Sequence, residues 1–314
     1  MMQTQLQRMC ANPMLQKQML APAQLLGTVP ARNFAASEKE LKQRMKTVSN
    51  IGKITKAMKM VATAKMKQDL ARLLAGKNFG VSGVDMFFAS DKYMKDRAPA
   101  PNMDPQELLV PITSDKGMCG SINSGIIRDV RDYVLKNGRQ KKTIFSLGDK
   151  GSTGMMRPMP DLLKTSIYEI QLPYNYPTVM ALSEHVIQAA EGSDKIVVFY
   201  NEYKSAIATI IRHLELMPRA RFMETVKYSK LYDMALPDKN TGHPALYELY
   251  VTSNLWVAFL NNAASEQSAR MNAMENASKN AGEIVEKLTL QYNKARQARI
   301  TMELVEIISG ASAL

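Results

Sequence analysis

The segment Thr113–Ser121, with the sequence TSDKGMCGS, places a serine, an aspartate and a cysteine close together. Ser114 or Cys119 could act as a nucleophile in acyl transfer if a histidine served as its base. No histidine lies near this segment in the sequence, and the Gly-x-Ser-x-Gly motif of a nucleophile elbow is absent. We therefore predict that Cys119 is a small buried side chain without a catalytic role.

A glycine-rich stretch, Gly148–Gly154 with the sequence GDKGSTG, follows a predicted strand and invites comparison with phosphate-binding loops. It fits neither G-x-x-x-x-G-K-[ST] nor G-x-G-x-x-G, so we interpret it as a strand-to-helix turn. The three histidines, His185, His213 and His243, lack a metal-ligand spacing such as H-E-x-x-H. We predict no catalytic residue, no cofactor site and no metal site.

The element that dominates the chain is a long helix near its end. After Pro244, which suits a first helical turn, there is no further proline, and Gly282 is the only glycine before Gly310. Roughly 66 helical residues would extend about 100 Å, which a domain of this size cannot cover. A seam of small and apolar residues predicts a partner helix: Met274, Ala277, Ala281, Ile284, Leu288, Tyr292 and Ala295. Charged residues occupy the other faces: Lys279, Glu283, Glu286 and Lys287.

A second amphipathic helix is signalled at Ser37, whose side chain forms a capping-box pattern with Glu40 three residues later. Its apolar residues also step by three and four: Leu41, Met45, Val48, Ile51, Ile54, Met58 and Val61. Since each helix presents a seam that needs covering, we predict that the two terminal helices pair as an antiparallel coiled coil.

The middle of the chain has a different sequence pattern, in which short apolar runs alternate with segments of helical periodicity. Strands are predicted at five places: 108–113, 143–147, 168–172, 195–200 and 206–216. Helices are predicted between them at 126–135 and 179–190. This alternation predicts a Rossmann-like α/β domain with a largely parallel sheet, inserted between the halves of the coiled coil. The predicted divisions are a transit peptide 1–36, an N-terminal helix 37–97, an α/β foot domain 105–217, a connection 218–243 and a C-terminal helix 244–314.

The first 37 residues contain Arg8, Lys17 and Arg32 but no aspartate or glutamate, a composition typical of a mitochondrial transit peptide. A disordered tail without a targeting role is the alternative. No run of 18 apolar residues occurs, so we expect a protein peripheral to any membrane. Only Cys10 and Cys119 are present, which makes a structural disulfide an unattractive hypothesis.

The net charge of +12 is concentrated in residues 38–80, which hold 11 lysines and arginines against three acidic residues. Such a helix indicates an acidic partner. Nucleic acid is the weaker interpretation, because residues 38–78 contain no aromatic side chain that could stack on bases. Two other classes stay open: a coiled-coil adaptor with an α/β domain, and an independent α/β enzyme formed by residues 105–217.

The last turns of the terminal helix combine charge and apolarity. Lys287, Lys294, Arg296 and Arg299 form a positive collar, followed by Glu303 and Glu306 and then by the apolar tip 307–314. A free apolar tip would fray in water. We therefore expect this tip to insert into a sleeve made by other chains.

Four segments together resemble the gamma subunit of rotary ATP synthases. They are ITKAMKMVA at 54–62, TSDKGMCGS at 113–121, SEQSARMNAM at 265–274 and the stretch from Tyr292 to Ala311. The resemblance covers the chain from about residue 38 onward. The chain lacks the cysteine-bearing regulatory insertion of the chloroplast form, so thiol control is not expected.

The resemblance implies a central shaft on the matrix side of the mitochondrial inner membrane. In this family the terminal helices lie inside a ring of alternating alpha and beta subunits. The α/β domain lies near the epsilon and delta subunits and the membrane c-ring, and no cofactor is bound. The family pattern and the collar together give the expected contacts with the ring: Met58, Lys287, Lys294, Arg296, Gln297, Arg299, Thr301 and Glu303.

Overall fold

The computed structural model describes residues 38–80, 105–226 and 239–312. The elements in chain order are α1 (Glu38–Gly80), β1 (Glu107–Pro111), α2 (Ile122–Lys136), β2 (Lys142–Leu147), α3 (Asp149–Met156), β3 (Leu163–Ile167), α4 (Tyr176–Ala189), β4 (Lys195–Tyr203), β5 (Thr209–Leu216), α5 (Arg219–Val226) and α6 (Lys239–Ser312). The contacts divide these residues into two compact units, 46–287 and a smaller one formed by 38–45 with 288–312. The predicted transit peptide and residues 81–97 lie outside the described residues.

The sheet has the order β3-β2-β1-β4-β5, with β5 antiparallel to β4 and the other neighbours parallel. Successive residues of β1 point to opposite faces. Leu108 and Val110 pack with α4 and α6, whereas Leu109 packs with α2 and with Met155 of α3. Because both faces are covered, the central strands read as continuous apolar runs, and the predicted largely parallel α/β sheet is confirmed.

The prediction of a strand at 168–172 is wrong. The edge strand β3 lies at Leu163–Ile167, where its sequence LKTSI is half polar and only partly buried. Tyr168 and Leu172, which formed the apolar signal, are exposed. An edge strand with one neighbour needs few apolar residues, so hydrophobicity alone selected the wrong segment.

The predicted connection 218–243 contains more helix than expected. Phe222 of α5 is fully buried and packs on Tyr247 and Tyr250, with ring centroids 5.1 and 5.4 Å away. α6 begins at Lys239, so Pro244 is inside the helix and not at its first residue. At this position the proline removes one hydrogen bond, the one that its N–H would donate to the Asn240 carbonyl, and the helix begins upstream of it. Residues 227–238 are outside the described part.

Within residues 46–287, α1 and α6 run antiparallel. The Lys59 ammonium lies 3.2 Å from the Glu275 carboxylate, and a Cβ atom on Gly52 would contact Ala281. At Gly76 the helices come so close that a Cβ atom would lie 2.5 Å from Leu260. The less exposed positions of α1 alternate steps of three and four: Gly52, Thr55, Lys59, Ala62, Met66, Asp69 and Leu73. This period of 3.5 is that of a coiled coil.

The predicted apolar seam of α1 is therefore displaced by one residue beyond Val48. Ile51, Ile54 and Val61 are 47%, 59% and 56% exposed. On α6, Met274 and Ala281 are buried as predicted, but Ile284 is exposed and Val285 turns inward instead. Three inward residues of this part of α1, Gly52, Thr55 and Ala62, are small, and small residues give no apolar signal.

In the smaller unit, residues 38–45 pair with 288–312. Leu41 is buried, and Leu288, Tyr292 and Ala295 are partly buried as the seam predicted. The Tyr292 hydroxyl donates a hydrogen bond of 3.0 Å to the Glu38 carboxylate. Each unit thus contains a pairing of the two terminal helices.

Candidate functional site

Ser114 and Cys119 of the segment Thr113–Ser121 form a buried polar network with Asn123 after the carboxyl end of β1. The Asn123 amide donates to Ser114 Oγ at 2.7 Å and to Cys119 Sγ at 3.2 Å, and its oxygen accepts the Ser114 N–H. Cys119 is 2% exposed, and burial raises the pKa of its thiol. A buried thiol with a raised pKa is a poor nucleophile, so the prediction of a small buried side chain is confirmed.

Asp115 joins three loops at the same end of the sheet. One carboxylate oxygen accepts the Asp149 N–H at 2.8 Å, and the other accepts the Ile170 N–H at 3.0 Å. Since both oxygens accept backbone donors, the side chain acts as a structural acceptor. The described residues contain no group of three or more histidine, cysteine, aspartate or glutamate side chains that could hold a metal ion.

The glycine-rich stretch is a strand-to-helix turn, as predicted. Gly148 has φ of +107°, and a Cβ atom there would lie 2.3 Å from the Thr113 carbonyl oxygen. α3 starts at the next residue, and the Gly151 N–H donates to Thr113 Oγ1 at 3.0 Å. The donor that a phosphate loop would offer to a ligand is therefore used within the fold.

A buried ion pair on α6 lies beside this network. The Arg270 guanidinium contacts the Glu266 carboxylate at 2.5 Å and donates to Gln267 Oε1 at 3.0 Å. Burial raises the pKa of Glu266, and the charge and hydrogen bond of Arg270 oppose that rise. Sequence reasoning missed this pair, because charged side chains four residues apart on a helix usually face solvent.

Most of the predicted ring contacts lie on the exposed part of α6. Lys294, Arg296 and Gln297 are exposed in the smaller unit. Arg299 pairs with Glu38 at 2.5 Å and with Glu303 at 3.3 Å, and the Thr301 hydroxyl donates to the Gln297 carbonyl at 2.9 Å. Exposed apolar side chains surround them: Ile300, Met302, Leu304, Val305, Ile307 and Ile308. The structure thus brings Arg299 and Glu303 together and leaves the apolar tip uncovered by any described residue.

Lys287 and Met58 belong to the larger unit. Lys287 is exposed, and Met58 is half-buried in a groove of about 370 Å³. The groove is lined by Ile54, Val61 and Met118, all exposed, with Lys65 and Lys116 beside them. The sequence pattern assigned Ile54 and Val61 to the helix seam, so it missed their availability for contacts.

Among residues 38–80, 105–226 and 239–312, we find no helix with an apolar stretch that could span a membrane.

Three sequence matches to known proteins agree with one another. A family model described as ATP synthase matches residues 37–314. The mitochondrial ATP synthase subunit gamma of Drosophila melanogaster is 33% identical over 304 residues, covering 96% of this chain and 99% of the relative. The ATP synthase gamma chain of Fuscovulum blasticum is 37% identical over 294 residues, covering 88% of this chain and 99% of the relative.

Solved structures show the same similarity. A chain from the central stalk and c-ring of the Tetrahymena thermophila mitochondrial ATP synthase is 44% identical with a TM-score of 0.67, covering 72% of this chain and 99% of that one. A chain of the Euglena gracilis mitochondrial enzyme gives a TM-score of 0.70 at 22% identity, covering 88% and 94%. The second match shows the fold alone.

Proposed function

The chain belongs to the gamma-subunit family of ATP synthases, and we propose that it is the central rotor shaft of a proton-driven ATP synthase. The observation that carries this proposal is the pairing of the two terminal helices, which is antiparallel within residues 46–287 and is also present in the smaller unit. That pairing leaves apolar side chains of α1 and α6 exposed, and an exposed apolar face marks a site of protein contact.

The partners follow from the family. The helices contact the ring of alpha and beta subunits, and the α/β domain contacts the epsilon and delta subunits and the c-ring. The Tetrahymena match is itself part of a central stalk and c-ring assembly. The assembly lies on the matrix side of the mitochondrial inner membrane, to which this chain is peripheral.

The shaft works by asymmetry and forms no chemical bond itself. Each beta subunit meets a different face of α1 and α6, so each catalytic site receives a different conformational bias. A bias of this kind changes nucleotide affinity only through differential contact free energy. Rotation carries the bias around the ring, and proton flow through the c-ring drives the rotation.

The contact residues proposed for the ring are those given by the family pattern and by the positive collar. On α6 they are Lys287, Lys294, Arg296, Gln297, Arg299, Thr301 and Glu303, and on α1 the residue is Met58. Lysines and arginines on these helices suit acidic surfaces of the ring. Ile54 and Val61 extend the Met58 contact by an exposed apolar face.

Isolation of the native assembly tests this function. A tag on the chain in mitochondrial extracts should recover alpha, beta and c subunits together with it in constant proportions. Recovery of the chain with nucleic acid, or with none of these subunits, would contradict the proposal. Salt titration separates the two cases, because a nucleic-acid complex weakens steeply with salt.

A further inference from the structure

The place where an open α/β sheet usually binds its ligand is occupied in this chain by α6. Ligands bind such sheets outside the carboxyl ends of the strands, where the strand order reverses. Here the reversal lies between β1 and β4. The Arg270 guanidinium reaches the Gly117 carbonyl after β1 at 3.4 Å, and α6 crosses this position.

On the β4 side, four hydrogen bonds of 3.1 Å or shorter join α6 to β4 and to the β4–β5 turn. Asn201 donates from its amide to Asn262 Oδ1 at 2.9 Å, and the Ser265 hydroxyl donates to the Asn201 carbonyl at 3.1 Å. The Ser268 hydroxyl and the Asn272 amide both donate to the Ala206 carbonyl at 2.7 Å. We call these six residues the sheet–helix clamp.

Four of the six clamp residues are buried, and Ala206 and Asn272 are partly buried. Apolar residues alone could hold α6 against the sheet. Asn201 and Asn262 are each 2% exposed, Ser265 is fully buried and Ser268 is 1% exposed. Burying hydroxyl and amide groups is costly unless they are hydrogen-bonded, and apolar residues would hold a helix on a sheet without that requirement. The polar residues supply direction, because a hydrogen bond weakens steeply when its angle or length changes.

Directional bonds matter where force acts along an interface. Apolar contact between α6 and the sheet, as at Tyr250, Leu255 and Phe259, is non-directional and opposes separation. Torque on a shaft instead makes a helix roll or slide on the surface that drives it. Bonds to fixed carbonyl groups oppose rolling and sliding, since each displacement breaks their geometry.

We propose that the sheet–helix clamp is the point at which torque passes between the α/β domain and α6. This inference rests on the proposed rotor function. Asn201, Asn262, Ser265, Ser268 and Asn272 are positioning residues for that function. The carbonyl groups that accept from α6 lie on β4 at Asn201 and in the β4–β5 turn at Ala206.

The test compares S265A/S268A/N272A with S253A in the complete complex in membrane vesicles. Ser253 is a matched control, because it is 1% exposed on the same helix but its hydroxyl donates to Leu249 of α6 itself at 2.7 Å. At equal amounts of assembled complex, ATP hydrolysis and ATP-driven proton pumping are measured together. The triple variant should pump about one-third as many protons per ATP as the wild type, or fewer. Its rate of ATP hydrolysis should stay within about twofold of the wild type, because each lost hydrogen bond contributes only modestly to stability. S253A should match the wild type.

Pumping per ATP equal to that of S253A would overturn the proposal. If the triple variant does not assemble, pumping per ATP is measured in the single variants S265A and S268A instead. S268T, which keeps the hydroxyl, should restore the coupling that S268A loses. A uniform loss of hydrolysis and pumping in S268A, with S268T equally impaired, would show a purely structural role and also overturn it. Absence of the wild-type chain from the complex would instead refute the rotor function.

Discussion

Glu266 and Arg270 illustrate how a buried charge is tolerated in the enclosed part of α6. Burial raises the pKa of Glu266, which means that its charged form is destabilised, and Arg270 compensates through the ion pair. Removing one partner leaves a buried charge without compensation, whereas replacing both by apolar residues of similar size removes the cost for each.

The pair therefore gives a double-variant prediction. R270M alone should lower the free energy of unfolding by about 3–5 kcal/mol, because Glu266 stays buried and unpaired. E266L/R270M should recover most of that loss. Urea denaturation of the purified chain followed by circular dichroism measures both. A double variant as unstable as R270M would contradict the assignment.

Lys59 and Glu275 form an interhelical ion pair whose contribution depends on pH. The hydrogen bond from Lys59 is the main cause that lowers the pKa of Glu275 below its ordinary value of 4.5, and the charge of Lys279 adds to it. A carboxyl with a lowered pKa in the folded state contributes stability above pH 4.5 and loses it as the pH falls through the folded pKa.

The difference in urea midpoint between the wild type and E275Q should therefore be present at neutral pH and shrink below pH 4.5. High salt should reduce it as well, because both side chains are more than one-third exposed. E283Q, at an exposed position of the same helix, is the control. A difference that is constant from neutral to acid pH would show that the ion pair adds nothing.

At the scale of elements, the register of α1 can be tested by two neighbouring substitutions. Ala62 is 1% exposed, so A62E should bury an uncompensated charge and cost about 3–5 kcal/mol in the free energy of unfolding. Val61 is exposed, so V61E should change it by no more than about 0.5 kcal/mol. Equal losses in thermal or urea denaturation would contradict the observed register. In the assembled complex V61E should weaken binding to the ring, since Val61 belongs to the proposed contact face.

The elements also show which signals the sequence carries. β1, β2 and β4 were predictable because strands covered on both faces are apolar throughout. The existence of α1 and α6 followed from apolar residues at steps of three and four, and for α6 also from the absence of proline after Pro244. The seam of α1 was misplaced because its inward residues Gly52, Thr55 and Ala62 are small. β3 was misplaced because an edge strand needs few apolar residues.

The clamp and the Glu266–Arg270 pair could not be predicted from the sequence. Their residues are Asn, Ser, Glu and Arg, which usually lie on the surface of a helix. They become buried only because the sheet, α1 and the segment around Gly117 enclose α6 together. That enclosure joins parts of the chain more than 60 residues apart. A local sequence pattern carries no information about contacts between such distant segments.

At the scale of the whole molecule, the account depends on α6 being shared by the paired helices and the α/β domain. Residues 250–263 of α6 belong to the sheet core, and residues 274 and 281 of the same helix belong to the seam with α1. A torque applied to the α/β domain is therefore delivered to the helix that carries most of the proposed ring contacts. A rotor needs this continuity, and neither a coiled-coil adaptor nor an α/β enzyme does.

Rotation of the chain itself tests this account most directly. Ile207 is 88% exposed next to the β4–β5 turn, and Cys119 is buried, so I207C provides an accessible thiol for a probe on the α/β domain. With the alpha–beta ring immobilised and ATP supplied, the account predicts sustained rotation of the probe in one direction, at a rate proportional to ATP hydrolysis. Continued ATP hydrolysis by a complex that contains the labelled chain, while the probe remains stationary, would contradict it.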